Sequence, residues 1–238
     1  MKHTDILLAT VNARYSHAAF GLRWLLANLG PLRPNAALHE FTFDNAPLEI
    51  AETLLGYAPR IVAFSVHIWN LAPIAHAAQI LKRVRPEITL VVGGPEAAYE
   101  YEDTPLFEAA DYLIRGEGEH AFAALAQAIL DGAPPTEKVI VAEPPRLDTL
   151  ALPYDEYTDE DLQHRLTYVE ASRGCPFGCE FCLSSLEPRV REFPLEPFLA
   201  ALERLLERGA RRFKFVDRTF NLRRERMDAV FGFFQRHD

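Results

Sequence analysis

Three cysteines in the chain are spaced so that they could bind a metal centre together. Cys175, Cys179 and Cys182 follow the pattern C-x3-C-x2-C, and the aromatic residue Phe181 directly precedes the third of them. Three thiolates on one short loop can bind three irons of a 4Fe-4S cluster and leave the fourth iron open to a substrate, because a closed cluster needs four cysteines. They are the only cysteines among 238 residues, and an odd, clustered set favours metal ligation over disulfides. The sequence therefore predicts an iron–sulfur cluster at this loop.

A structural zinc ion is the alternative for the same loop, with His164 or His237 as a fourth ligand. Zinc sites usually separate two pairs of cysteines by a long insert, whereas here all three cysteines share one loop. The spacing therefore favours the iron–sulfur cluster, and metal analysis distinguishes the two.

The cysteine loop resembles that of the radical S-adenosylmethionine (SAM) superfamily, whose C-x3-C-x-aromatic-C motif follows the first strand of a barrel. Gly174 and Gly178 would give the backbone freedom to wrap a cluster, with ordinary turn glycines as the alternative. The resemblance implies that the open iron binds the amino and carboxylate groups of SAM, and that an electron from the cluster cleaves SAM to methionine and a 5′-deoxyadenosyl radical. It also implies that Phe181 packs near the adenine, that the substrate is a small molecule, and that a flavodoxin or ferredoxin supplies the electron.

A second polar segment follows a predicted strand further downstream. Residues 213–221 resemble the second-strand segment of a cobalamin-associated radical SAM subgroup, and active sites of βα barrels gather at the carboxyl ends of the strands. The resemblance places Asp217 at SAM or the substrate, whereas capping of the following helix is the alternative.

These residues need a scaffold, and the rest of the sequence predicts one. Short β-branched runs alternate with Ala- and Leu-rich helical segments up to residue 130, which is typical of βα units around a parallel sheet. The predicted strands are 6–11, 38–43, 61–66, 89–92 and 112–115, and the predicted helices are 18–29, 48–55, 73–84 and 120–130. We therefore expect an α/β fold with a Rossmann- or flavodoxin-like parallel sheet over residues 1–133. A proline-rich linker over 134–164 and the first βα units of a partial TIM-like barrel over 165–238 would follow.

Small and polar residues follow the predicted strands, where open α/β sheets bind ligands. They are Tyr15, His17, Ser65, Gly93, Gly94, Gly116, Glu117 and Gly118. Small residues in such loops let a large planar or nucleotide ligand approach the backbone. Together with the cysteine loop, their order resembles the cobalamin-binding domain that precedes many radical SAM enzymes. The resemblance implies that these loops hold the nucleotide tail of cobalamin and present its corrin face to the barrel.

His17 departs from the pattern of cobalamin domains that supply a histidine to cobalt. Those domains carry D-x-H-x-x-G after the first strand, whereas this chain has Y-S-H-A-A-F-G, so the acid is missing and the glycine comes one place late. Without an orienting carboxylate, a histidine at a helix start is the alternative to a cobalt ligand. The departure argues against histidine-ligated cobalt more than against cobalamin itself.

Charge and hydropathy exclude several classes of partner. The chain has 25 Lys and Arg residues against 34 Asp and Glu residues, a net charge of −9, which argues against general nucleic-acid binding and binding to anionic membranes. The longest apolar runs are far shorter than the ~20 residues of a membrane-spanning helix. The N-terminus has no secretory signal, so we expect a cytoplasmic protein.

The segment after residue 165 supplies about two βα units, whereas a full radical SAM barrel needs about six. We therefore expect a partner chain or a further C-terminal segment to complete the barrel. The resemblance to a family that uses both cobalamin and SAM implies radical methyl transfer as the reaction. The alternative is a non-catalytic module that binds cobalamin or another nucleotide beside a cluster-bearing barrel fragment.

Overall fold

The computed structural model describes residues 4–237 of the chain, which divides into two compact units. Unit 1 ends at Pro145 and unit 2 begins at Arg146. Among the described residues, every helix is too short or too polar to cross a membrane.

Unit 1 is built on parallel strands that alternate with helices. The strands are β1 (Ile6–Asn12), β2 (Ala36–Thr42), β3 (Ile61–Ser65), β4 (Thr89–Gly93), β5 (Tyr112–Arg115) and β6 (Val139–Val141). The helices are α1 (Phe20–Ala27), α2 (Pro47–Leu55), α3 (Leu71–Val84), α4 (Pro105–Ala109) and α5 (Glu119–Leu130). Within residues 4–237 the strands of this unit form one six-stranded sheet in the order β2-β1-β3-β4-β5-β6, with parallel neighbours throughout. This is the expected flavodoxin-like order with one further strand at the edge.

Helices cover both faces of this sheet, so its central strands are mostly apolar. All seven residues of β1 are buried. Leu7 and Val11 belong to the core on the side of α2, α3 and α4, whereas Ile6 and Leu8 belong to the core on the side of α1 and α5. A strand buried on both faces needs a continuous apolar run rather than alternation, which is why the runs were recognisable in the sequence.

The structure does not contain the linker that was expected over residues 134–164. Val139–Val141 pairs in parallel with β5, so the first unit extends to residue 145 rather than 133. The later part of the expected linker belongs to unit 2, where Tyr154 and Tyr157 are each only 1% exposed. Prolines flank these segments and suggested a linker, but an edge strand needs only one row of backbone partners and tolerates prolines nearby.

Unit 2 contains the two expected βα units, preceded by a short helix. Its elements are α6 (Asp159–His164), β7 (Thr167–Val169), β8 (Ser172–Arg173), β9 (Arg191–Glu192), α7 (Leu195–Glu207), β10 (Phe213–Phe215) and α8 (Arg224–Arg236). Strand β7 pairs in parallel with β10, and β8 pairs antiparallel with β9. Helix α7 buries Phe198, Ala201, Leu202 and Leu205, the i, i+3, i+4, i+7 stripe of an amphipathic helix.

Two buried tyrosines provide hydrogen-bond partners for the backbone groups along the edge of β7 that faces away from β10. The Tyr157 hydroxyl accepts a hydrogen bond from Tyr168 N at 3.0 Å and donates to Tyr168 O at 2.9 Å. The Tyr154 hydroxyl makes the same pair of contacts with Glu170, at 3.1 and 3.3 Å. The hydroxyls therefore do what a neighbouring strand would do, and they tie the residues before α6 to the strand that leads into the cysteine loop.

Replacing Tyr157 by phenylalanine is expected to destabilise unit 2 by about 1–3 kcal/mol, because two buried backbone groups of Tyr168 lose their partner. Chemical denaturation followed by circular dichroism measures this. Tyr99→Phe is the control, since it removes the same hydroxyl from a tyrosine that is 45% exposed. Equal stability of the two variants would contradict the role assigned to the Tyr157 hydroxyl.

Candidate functional site

The sheet of unit 1 has a topological switch point between β1 and β3. The chain leaves β1 toward β2 on one side and leaves β3 toward β4 on the other, as the strand order requires. The loops after these two strands therefore diverge and leave a crevice at the carboxyl edge of the sheet, which is where open α/β folds bind ligands.

A buried asparagine fixes the two strand ends at this switch point. Asn70, which is fully buried, donates from Nδ2 to Val11 O at 3.0 Å and to Ser65 O at 3.2 Å. Its Oδ1 accepts from His67 N at 2.7 Å, and the Thr10 hydroxyl donates to Ser65 O at 2.9 Å. The predicted site residue Ser65 thus lies at the switch point. Sequence reasoning missed Asn70, whose only signal was a polar residue directly before a helix.

Aromatic side chains form the exposed rim of this edge. Trp69 follows β3, is 46% exposed and donates from Nε1 to Val11 O at 3.3 Å. Its ring stacks on His67 with centroids 4.5 Å apart and planes 3° apart. Ile68 is 76% exposed, and Tyr15, in the loop after β1, is 46% exposed. The rim therefore offers flat, apolar surface at the place where a ligand is expected.

Burial lowers the pKa of His67 below its ordinary value of about 6.5, so the ring is neutral at pH 7. The unfolded chain then binds more protons than the folded chain between the folded pKa and about pH 6.5. The stability that neutral His67 contributes is fully present above that window and is lost as the pH falls through it.

We therefore expect the free energy of unfolding to fall below pH 6.5, and part of this fall to disappear in His67→Asn. Urea unfolding at pH 7.5 and pH 5.5, followed by tryptophan fluorescence, measures the difference. His76→Gln, at an exposed position of α3, is the matched control. The same pH dependence in both variants would refute the prediction.

The loop after β1 is held by a buried ion pair that sequence reasoning missed. Glu40 in β2 accepts from Arg23 Nη2 at 2.8 Å, and the two side chains are only 7% and 2% exposed. Glu40 also accepts from Asn12 Nδ2 at 2.9 Å and from the backbone N–H of Ala19. Asn12 in turn donates to His17 O at 3.0 Å. The half-buried predicted residue His17 is therefore anchored through its backbone, which leaves the role of its ring a prediction.

Three of the predicted site glycines lie where the neighbouring backbone leaves little room for a side chain. At Gly94, with φ of +110°, a Cβ would lie 2.5 Å from Val66 O, and at Gly116, with φ of +91°, it would lie 3.1 Å from Ala142 O. A Cβ at Gly93 would lie 3.3 Å from Ile114 O. At these three positions the backbone of neighbouring strand ends lies where a side chain would begin, and the contact of these glycines with cobalamin stays a prediction.

The last two predicted residues of unit 1 stand at the start of α5. Gly118 is the N-cap residue, and Glu117 precedes it half-buried. Their contact with cobalamin stays a prediction. The rim as a whole fits cobalamin, because a flat macrocycle needs exposed apolar surface beside a crevice, and Tyr15, Ile68 and Trp69 supply that surface.

Backbone contacts join the two ends of the cysteine loop in unit 2, where residues 172–175 lie against residues 187–192. We call this part of the loop its neck. Strands β8 and β9 pair across the neck, and Cys175 N donates to Glu187 O at 2.9 Å. Gly174 has φ of +89°, and a Cβ there would overlap Arg189 O and lie 2.9 Å from Arg189 C. At the far end of the loop, Cys182 N donates to Cys179 O at 3.1 Å.

The three cysteines are free thiols in different surroundings. Cys175 and Cys182 are half-buried and Cys179 is exposed. Hydrogen bonds from Ser184 and, more weakly, the charge of Arg218 lower the pKa of the Cys182 thiol. Phe181 is 95% exposed, so its predicted contact with the adenine of SAM stays a prediction.

The donor chemistry of the loop fits an iron–sulfur cluster. Among the described residues, no three Cys, His, Asp or Glu side chains are grouped closely enough to hold a metal ion, so the thiols share one loop without converging on one point. Metal sites of this kind are commonly completed by the metal itself, which gathers the thiolates. Three thiols on a loop with a fixed neck and an exposed tip match that behaviour.

Asp217 contacts the approach to the cysteine loop. Its carboxylate accepts from Ala171 N at 3.0 Å and from the Ser172 hydroxyl at 2.7 Å. Arg226 in α8 donates to Ala171 O at 3.0 Å, so two side chains hold both backbone groups of this residue. Burial raises the pKa of Asp217 despite these hydrogen bonds. Asp217 therefore positions the segment between β7 and β8, and its predicted contact with SAM stays a prediction.

Comparison with known proteins gives a family match and several similar chains. The family model described as the B12 binding domain matches residues 6–126. The uncharacterized methyltransferase PH0819 of Pyrococcus horikoshii is 29% identical over 202 residues, which are 75% of this chain and 44% of the relative. The anaerobic magnesium-protoporphyrin IX monomethyl ester cyclase of Rubrivivax gelatinosus is 30% identical over 166 residues, 59% of this chain and 30% of the relative. The chain thus spans less than half the length of these two relatives.

Solved structures show the same fold. One is the radical SAM methyltransferase TsrM from Kitasatospora setae, with tryptophan substrate and a SAM analogue bound. Its superposition has a TM-score of 0.72 at 18% identity, and the alignment covers 98% of this chain and 51% of that chain. A second TsrM structure, with cobalamin and a [4Fe-4S] cluster bound, gives a TM-score of 0.71 at 15% identity. The expected fold class is therefore confirmed. Because the family model matches half of its length, the chain belongs to the B12 binding domain family.

Proposed function

We propose that this chain is the cobalamin-binding and cluster-bearing part of a radical SAM enzyme that transfers a methyl group. The observation that carries the proposal is the C-x3-C-x2-C loop directly after β8, in the same chain as a B12 binding domain. Neither feature alone would point to this chemistry, because glycine-rich strand ends and cysteine loops each occur in many unrelated proteins.

Two sets of residues would hold the two cofactors. Cys175, Cys179 and Cys182 would bind three irons of a 4Fe-4S cluster and leave the fourth for the amino and carboxylate groups of SAM. When bound, the cluster would supply the electron that cleaves SAM, and cobalamin would carry the methyl group. The aromatic rim at the switch point, with Tyr15 and Trp69, would face the corrin.

The chain's own residues prepare these sites before any cofactor binds. Asn70 fixes the strand ends under the rim, so the rim is held in one arrangement. Neutral His67, stacked on Trp69, adds no positive charge at the rim. In unit 2, Asp217 and Arg226 hold the approach to the cysteine loop. Preorganisation of this kind lowers the entropic cost of binding a cofactor.

Methyl transfer is the reaction that the comparisons favour, since TsrM and PH0819 are both described as methyltransferases. The Rubrivivax relative is described as a cyclase, so the reaction type is the finer part of the proposal. A small-molecule substrate and a flavodoxin- or ferredoxin-like reductant complete it. The rest of the barrel would come from a further C-terminal segment or a partner chain.

Anaerobic reconstitution with iron, sulfide and hydroxocobalamin tests the proposal. We expect near four irons per chain by elemental analysis, bleaching of the visible absorption by dithionite, and one cobalt retained after gel filtration. Cys179→Ser is the matched control, expected to lose iron and keep cobalt, because the two sites lie in different units. Stoichiometric zinc without iron would mean that the loop holds a structural ion.

Turnover separates an enzyme from a module that only binds. We expect the reconstituted protein, supplied with SAM and dithionite, to form 5′-deoxyadenosine, which liquid chromatography detects. Cofactor binding without SAM cleavage would favour a carrier or sensor. SAM cleavage without cobalamin uptake would contradict methyl transfer through cobalamin.

A further inference from the structure

A threonine from the second strand of unit 2 reaches the first cysteine of the loop. The Thr219 hydroxyl donates a hydrogen bond to Cys175 Sγ at 3.4 Å, a normal length for a bond to sulfur. Thr219 is half-buried and follows β10, whereas Cys175 follows β8, so the bond joins two segments 44 residues apart in the sequence.

The position of Thr219 is set by its neighbour Asp217. The Asp217 carboxylate is bound to Ala171 N and to the Ser172 hydroxyl, just before the loop. This contact fixes the residues after β10 against the residues after β7. Thr219 comes two residues later in the segment that this contact anchors, and its hydroxyl lies beside Cys175.

We propose that Thr219 is a positioning residue for the iron–sulfur cluster: its hydroxyl hydrogen-bonds to the Cys175 thiolate in the cluster-bound protein and makes the cluster easier to reduce. The inference rests on the proposed function, because it needs Cys175 to be an iron ligand. It goes beyond that function by assigning a residue that tunes the cluster and that lies outside the cysteine motif.

The physical reason lies in the charge of the two redox states. Reduction adds one negative charge to the cluster, and part of that charge resides on the ligand sulfurs. A hydrogen-bond donor at a sulfur therefore stabilises the reduced state more than the oxidised state, and hydrogen bonds to sulfur are among the features that set cluster potentials. Removing the donor should make the cluster harder to reduce.

Cys175 is the ligand at which this effect can be isolated. Cys182 is surrounded by donors from its own loop, Ser184 above all, so single changes there would also alter the turn. Cys179 is exposed to solvent. The donor to Cys175 comes from a different strand, so its hydroxyl can be removed without altering the loop sequence.

Thr219→Val and Thr219→Ser test the inference in the full chain. Valine keeps the branched shape and lacks the hydroxyl, whereas serine keeps the hydroxyl. After anaerobic reconstitution, iron content is measured first, and the reduced fraction of the cluster is then followed by absorption at a series of fixed potentials. We expect the cluster of Thr219→Val to have a lower reduction potential. At a fixed applied potential, its ratio of reduced to oxidised cluster should be about tenfold smaller than in the parent, which corresponds to a shift of about 59 mV for one electron. Thr219→Ser should behave as the parent chain.

Each outcome decides the inference. A lower potential in the valine variant and a parental potential in the serine variant support it. Loss of iron in the valine variant with full iron in the serine variant also supports it, because only the valine variant lacks the hydroxyl. Circular dichroism must then show that both variants are folded. Equal iron and equal potentials in all three proteins overturn this inference alone. If the parent chain takes up no iron, this inference and the proposed function are both wrong.

Discussion

Replacing Gly174 by alanine is expected to abolish iron binding at the cysteine loop, whereas replacing Gly178 by alanine is expected to leave it intact. Gly174 directly precedes the cysteine loop and Gly178 lies within it, and their sequence context alone does not distinguish their roles. At Gly174 the backbone has φ of +89°, and a Cβ would overlap the backbone of Arg189 across the neck. At Gly178 no atom lies within 4 Å of the position of a Cβ.

The alanine at 174 must either keep a strained backbone, which costs about 1–3 kcal/mol, or open the neck. An open neck breaks the bond from Cys175 N to Glu187 O and moves Cys175 away from the other two cysteines. A cluster with only two close thiolates cannot be held by this loop. The loss should therefore be nearly complete rather than a small weakening.

Iron and sulfide content after anaerobic reconstitution of the parent chain and the two variants measures this difference. Cobalt retention serves as an internal control, because the cobalamin site belongs to the other unit and should be unaffected. Full iron content in Gly174→Ala would show that the neck adapts to a side chain, and the structural role assigned to this glycine would be wrong.

The scaffold of unit 1 could be predicted because its strands are buried on both faces. Runs such as Ile6–Val11 and Ile61–Val66 are apolar except for one small hydroxyl residue each, and helices with one apolar stripe separate them. β6 could not be predicted in the same way. It has three residues, Val141 is 69% exposed, and its place in the sheet depends on pairing with β5, which no local pattern encodes.

The candidate site was predictable where chemistry is local and unpredictable where it depends on contacts distant in sequence. The three cysteines carry their own spacing, so the loop could be recognised directly. Asn70, Glu40 and Asp217 act on groups far away in the chain, such as Val11 and Ala171, and these partners become neighbours only through the fold. Glu40 illustrates this best, since a charged residue in a β-strand run suggests exposure until the fold brings Arg23 against it.

Replacing Glu40 by leucine is expected to destabilise unit 1 by about 3–5 kcal/mol, because it leaves the buried Arg23 guanidinium without its carboxylate. Such a loss is a large part of the stability of a typical domain. The same change removes the acceptor for Asn12 Nδ2 and Ala19 N, which releases the loop that carries Tyr15 and His17. If the loop holds its binding arrangement in a tenth of the molecules, cobalamin affinity falls about tenfold.

A double replacement separates the two effects. Arg23→Met with Glu40→Leu removes both charges, so stability should recover toward that of the parent, as it does when buried ion pairs are replaced by apolar residues. Cobalamin should still bind weakly, because Asn12 and Ala19 remain without their acceptor. Urea denaturation measures the stability, and equilibrium dialysis with hydroxocobalamin measures the affinity.

The control for charge alone is the surface pair Arg85 and Glu87, whose side chains are 43% and 61% exposed. Glu87→Gln should change neither stability nor cobalamin affinity noticeably, because solvent screens an exposed pair. A Glu40→Leu protein as stable as the parent would mean that water reaches Arg23 in solution. Full cobalamin affinity in the stable double variant would mean that the loop after β1 takes no part in binding, and that the rim residues after β3 carry the site without it.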